Sequence, residues 1–153
     1  MKITKKINND LNKDQLSKLL KISDPFLMID KLTNIVAGKT GCGIKNIYLN
    51  DWFYKCHFIN EPVMPGTLQV EAMLQTIAAL IYLGQKNKFS ISLITKTSVN
   101  FHSKITGEGM LKINAEILLN KNGIVETKAI AFFKNKKVSS GQFRFINSKG
   151  LKI

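Results

Sequence analysis

The chain of 153 residues is poor in cysteine, histidine, proline and arginine, and each shortage removes a class of function. Two cysteines, Cys42 and Cys56, are too few for a disulfide scaffold or a cysteine metal cluster, and they fit free thiols in a reducing cytoplasm. With three prolines and no repeat, low-complexity tract or linker, a single domain over residues 1–153 is expected, with residues 1–23 as a helical lead-in. No run approaches the roughly 18 uninterrupted apolar residues of a membrane span. The opening MKITKKINND has lysines but no apolar segment or small-residue cleavage site behind them, which argues against a secretory signal. Arg144 is the one arginine, and the lysines are spread along the chain instead of clustering between aromatic residues, which argues against nucleic-acid recognition.

What is abundant is lysine. Against ten carboxylates it leaves a formal charge of +13, a field that draws polyanions such as an acidic carrier protein, although a lysine-favouring composition rich in Asn and Ile gives the same surplus. The apolar pattern is the second positive signal. Leu11, Leu16, Leu19 and Leu20 fall near helical spacing behind Asn12, with Gln15 three residues on, so a short capped helix is expected there. DPFLMIDKLTNIVAGKTGCGIKNIYL reads as two strands joined by a glycine-rich turn at Gly38, Gly41 and Gly43. WFYKCHF reads as an aromatic strand ending at His57, and FSISLITKTSVNFHSKI as a further long strand. From Leu111 through Ile113, Ala115 and Ile117 to Leu119 apolar residues alternate with polar ones, so one face of that sheet is wet. Asn122-Gly123 and the KNKK stretch at 134–137 mark two hairpin turns, so three antiparallel strands close the chain.

Between these strands Pro65-Gly66 opens a run without a breaker until Gly84, expected to be a helix ending in a glycine cap. It is apolar on nearly every face and must be buried. The class is therefore α+β, an antiparallel sheet wrapped around one long central helix. A sheet with one wet face covers a helix from one side only, so a homodimer is expected.

This greasy helix carries Glu71 in its opening turns and Gln75 four residues later, on the same face. A carboxylate in apolar surroundings is rare without a partner, and full burial would favour its neutral form. Gln75 reads equally as a substrate ligand and as a buried amide tying helix to sheet. The unpartnered N–H groups near Gly66 and Thr67 form an anion-favouring site, and Gly66 has no side chain to block a ligand oxygen. His57 lies just upstream, so base, acid and oxyanion donors can converge on one point.

HFINEPVMPGTLQVEAMLQ resembles the signature of the 3-hydroxyacyl-acyl carrier protein dehydratases of bacterial fatty-acid synthesis, and DPFLMIDKL resembles that family's early Pro-Phe-Leu strand. Departures are Cys56 before the histidine, Ile59 after the Phe, and KISD ahead of the Pro-Phe-Leu. The resemblance implies a hot-dog fold and active sites at the interface of a homodimer, which can extend to a hexamer as a trimer of dimers. It implies His57 and Glu71 as the catalytic pair and acyl carrier protein as partner, while Gly66, Thr67 and Gln75 stand as the candidate substrate contacts from the helix itself. No metal or organic cofactor is expected, because acid–base chemistry with oxyanion donors suffices. Lys55 and Lys104, with His102 behind them, are the candidate carrier contacts. A hot-dog acyl thioesterase and a non-catalytic basic binding module remain as alternatives.

Overall fold

A computed structural model describes residues 5–85 and 91–147. The chain starts with a two-residue strand, β1 (Leu11–Asn12), and a short helix, α1 (Lys13–Leu20). Asn12 closes a reciprocal capping box on α1: its side-chain oxygen accepts from Gln15 N–H (3.0 Å), and Gln15 Oε1 accepts from Asn12 N–H (2.9 Å). Leu16 and Leu20 are buried, and Lys21 ends the helix in the left-handed region (φ 59°).

Strands β2 (Lys31–Val36) and β3 (Thr40–Ile47) form a hairpin whose turn holds one of the three expected glycines, Gly38 (φ 70°). Gly41 and Gly43 lie within β3 instead, because the long helix α2 (Gly66–Gly84) crosses them closely. A Cβ on Gly41 would stand 2.8 Å from Leu80 Cδ2, and one on Gly43 would stand 2.1 Å from Thr76 Oγ1.

The segment expected as an aromatic strand is a one-turn 3₁₀ helix, Trp52–Lys55. Strand side chains alternate between faces, so a strand would not bury the adjacent Phe53 and Tyr54 together. Both are buried here, in an edge-to-face contact at 4.8 Å, while Trp52 and Lys55 are exposed.

Helix α2 ends at Gly84 as expected, but not through a left-handed cap: Gln85 is extended (φ −84°). Gly84 serves close approach, since a Cβ there would lie 2.6 Å from Gly38 Cα. Gly38 N–H in turn donates to Leu80 O near the end of the helix (3.0 Å).

Strands β4 (Ser92–Phe101), β5 (Gly109–Lys121), β6 (Ile124–Phe133) and β7 (Lys136–Asn147) complete one antiparallel sheet in the order β1-β2-β3-β5-β6-β7-β4. Asn122 and Gly123 (φ 54° and 80°) and Lys134 and Asn135 (φ 50° and 63°) form the two tight turns, each with two consecutive positive φ values. Leu111, Ile113, Ala115 and Ile117 point inward as their alternation requires. Leu119 departs: the register shifts between Ile117 and Leu119, which leaves Leu118 and Leu119 both half exposed.

The inward residues of β5, β6 and β7 form one core cluster with Ala72, Met73, Ile77 and Leu80 of α2. By length and a mean hydropathy of 1.2, α2 would suffice to cross a membrane, yet 61% of that stretch is buried inside this chain, as suits a core helix.

Candidate active site

His57 follows the 3₁₀ turn and is fixed by backbone groups on both sides. Its N–H donates to Phe53 O (2.9 Å), its carbonyl accepts from Val63 N–H (2.8 Å), and its Nδ1 stands 2.9 Å from Val63 O. A carbonyl oxygen only accepts, so Nδ1 carries the proton and Nε2 keeps its lone pair. A half-buried imidazole held in this tautomer by its own loop can accept a proton at Nε2.

The loop is closed by reciprocal backbone bonds between Phe58 and Glu61, and Met64 N–H donates to Ile105 O (3.0 Å). Lys104 pairs with Glu61, and this hydrogen bond and charge hold the Glu61 carboxyl below the usual carboxylate range. Of the candidate carrier contacts, Lys104 is thus already paired, His102 Nε2 meets Ser140 Oγ at 3.0 Å, and Lys55 is exposed. Ile59, which departs from the family signature, is 88% exposed at the loop tip. The thiol of Cys56 faces the carbonyls of Trp52 and Phe53 (3.6 and 3.5 Å). Both cysteines are free.

Two residues beyond Val63, Pro65 leads into α2. Pro65 O accepts from both Leu68 N–H (3.0 Å) and Gln69 N–H (3.2 Å), which leaves the N–H groups of Gly66 and Thr67 without a carbonyl partner among the described residues. The first turn therefore keeps two donors for a developing negative charge. Phe101 at the end of β4 stands over this turn: a Cβ on Gly66 would meet its ring at 3.0 Å. Sequence reasoning missed Phe101, whose place over Gly66 comes from pairing at the sheet edge.

Glu71 is half-buried rather than buried. Its Oε1 accepts from Gln75 Nε2 at 2.8 Å. Gln75 also donates to Phe26 O (2.8 Å) and accepts from Met28 N–H (2.7 Å), so its amide ties the helix to the DPFLM segment, and its hydrogen-bonding groups are occupied by protein. Glu71 and Gln75 open onto a largely apolar cavity of about 350 Å³ that continues along one stripe of α2 past Leu74 and Ala78 to Tyr82, with Ile94 and Phe145 facing it.

The structure thus brings Glu71 to Gln75, and fixes His57 shortly before the open helix start at Gly66 and Thr67. The hydrogen bonds of His57 and those of Glu71 are separate within one chain, and His57 does not line the cavity.

Residues 21–142 match the model of the FabA-like domain. The chain is 34% identical to the 3-hydroxyacyl-[acyl-carrier-protein] dehydratase FabZ of Acetivibrio thermocellus, a match covering 79% of this chain and 84% of that protein. It is 31% identical to the FabZ dehydratase of Alkaliphilus metalliredigens, over 89% and 93% of the two chains. Among solved structures it is similar to the dehydratase heterocomplex ApeI:P of Xenorhabdus doucetiae, with TM-score 0.73 and 13% identity over 86% of this chain and 90% of that one. It also resembles a hypothetical thioesterase with coenzyme A from Streptococcus pneumoniae, with TM-score 0.60 and 9% identity over 76% and 84% of the two chains, a likeness of fold alone.

Proposed function

The chain belongs to the FabA-like family, and from that membership we propose that His57 and Glu71 are the pair through which it removes water from a 3-hydroxyacyl thioester on acyl carrier protein, giving the trans-2-enoyl thioester in fatty-acid biosynthesis. It is a hydro-lyase with the hot-dog fold. The observation that carries the catalytic reading is the Val63 carbonyl on His57 Nδ1, which in the neutral ring puts the lone pair on Nε2, the atom left to take a proton.

Dehydration must remove a weakly acidic C2 proton, hold the enolate charge on the thioester oxygen, and protonate a poor leaving group. Nε2 of His57 takes the C2 proton, the N–H groups of Gly66 and Thr67 donate to the thioester oxygen, and Glu71 gives a proton to the departing 3-hydroxyl as the C3–O bond breaks. Water leaves, His57 is left protonated and Glu71 ionised, and proton exchange resets both. The apolar cavity along α2 suits the acyl chain.

The working form is a homodimer in which His57 and Glu71 of one site come from different subunits. Two observations support this: their hydrogen bonds are separate within one chain, and β4 is an edge strand with Leu93, Ile94 and Phe101 exposed. The partner delivering substrate is acyl carrier protein, in the cytoplasm.

Purified protein given a crotonyl thioester on acyl carrier protein tests the reading. Hydration to the 3-hydroxyacyl product is expected. Release of free carrier thiol instead would make it a thioesterase, and no reaction would leave a binding module.

A further inference from the structure

We propose that Gln75 is a positioning residue that selects which oxygen of Glu71 serves as the acid, a role that rests on the dehydratase reading above. The amide has a single orientation. Its oxygen faces Met28 N–H at 2.7 Å and its nitrogen faces Phe26 O at 2.8 Å, so a flipped amide would set donor against donor and acceptor against acceptor. One amide proton is committed to Phe26, and the other points to Glu71 Oε1 at 2.8 Å. Oε1 is therefore an acceptor by construction, which leaves Oε2 as the oxygen through which a proton would pass to substrate.

The anchor under Gln75 is stiff. Phe26 and Leu27 N–H both donate to Ser23 O (3.0 and 3.1 Å). Asp30 N–H donates to Ile44 O (2.7 Å), and the Asp30 carboxylate receives Asn46 N–H (2.7 Å) and Lys45 Nζ (3.4 Å), which ties the segment to β3. The path from β3 through the Phe26–Met28 segment to Gln75 and Glu71 is hydrogen-bonded at each end, and Gln75 is 2% exposed. A substrate ligand would need a free donor or acceptor, and the amide has neither a spare proton nor an unengaged oxygen. A purely structural tie would be complete with Phe26 and Met28, so the bond to Glu71 is what marks the functional role.

The test compares the wild type, Gln75→Met, Glu71→Gln and the double variant in hydration of a crotonyl thioester, with thermal melts and a crystal structure of Gln75→Met. Gln75→Met should lower kcat roughly 10- to 100-fold in folded protein with KM changed less than about two-fold, because misplacement of a catalytic group by about 1 Å can cost about 10²-fold. In the Glu71→Gln background the same change should add less than about two-fold, since residues acting through one another are not additive. In the crystal, the Glu71 carboxyl should have left its single position. An unchanged kcat per folded molecule, a raised KM with kcat held, a fully additive double variant, or an unmoved Glu71 would each overturn the proposal. Should Gln75→Met not fold, Gln75→Glu keeps the shape and the acceptor for Met28 N–H, and wild-type kcat in that variant would overturn it equally. If the wild type itself fails to hydrate the thioester, the dehydratase reading falls, while the crystallographic comparison still decides whether Gln75 places Glu71.

Discussion

At the scale of single residues, the proposed chemistry depends on two side chains with different supports. His57 is oriented by the carbonyl of Val63, and Glu71 by the amide of Gln75. His57→Ala and Glu71→Gln should each lower turnover of a crotonyl-carrier substrate by roughly 10²-fold or more, the range for loss of acid–base catalysis, with melting temperatures near that of the wild type. Full activity in either folded variant would remove that residue from the mechanism. The two thiols give a second check. Burial pushes the Cys42 thiol up, whereas Cys56 is exposed, so Ellman's reagent at neutral pH should titrate Cys56 rapidly and Cys42 slowly. Equal rates would contradict the partial burial of Cys42. The candidates for the pair were legible in the sequence, because a carboxylate in an apolar helix is costly to leave without a role and the histidine stands just ahead of the Pro-Gly that opens it. What holds them was not legible. Val63 acts through its backbone carbonyl, which every residue possesses, and the partners of Gln75 lie at residues 26 and 28, brought to it only by the fold.

At the scale of elements, the long helix and the closing hairpins follow from periodicity, and the departures have local causes. The Trp52–Lys55 segment has strand-like composition, yet burying Phe53 and Tyr54 side by side requires a helical turn. Gly41 and Gly43 look like turn residues in sequence, and distinguishing a turn from a close helix crossing needs the third dimension. That crossing can be tested. Gly43→Ala places a Cβ 2.1 Å from Thr76 Oγ1 and 3.0 Å from its Cγ2, in a side chain held by its bond to Ala72 O (2.8 Å). Overpacking of this kind costs typically about 1–3 kcal/mol, so the variant should melt several degrees lower. Adding Thr76→Ala deletes the colliding atoms and should recover part of the loss. If Gly43→Ala melts like the wild type, α2 does not rest on β3 at this distance.

At the scale of the whole molecule, two features lack their complement within one chain: an apolar sheet edge and a charge of +13. The first leads to subunit mixing. If His57 and Glu71 of one site come from different subunits, as proposed, exchanging the inactive His57→Ala and Glu71→Gln proteins should restore about a quarter of wild-type sites, because half the dimers are hybrids and each hybrid holds one intact pair. Confirmed exchange with no recovery would place the pair within one chain. The second leads to salt. Lys104 is partly neutralised by Glu61, which leaves exposed lysines such as Lys55, the last residue of the 3₁₀ turn and two before His57, as the nearer source of attraction for an acidic carrier. Surface charges are screened beyond about 8–10 Å near physiological ionic strength. The kcat/KM for a carrier-bound substrate should therefore fall steeply as salt rises, whereas a small uncharged thioester, with no acidic surface to steer, should change little. Lys55→Glu should reproduce the high-salt behaviour for the carrier-bound substrate at low salt and leave the small thioester untouched. Equal salt sensitivity for the two substrates would separate the positive field from carrier recognition and attribute it to the lysine-rich composition alone.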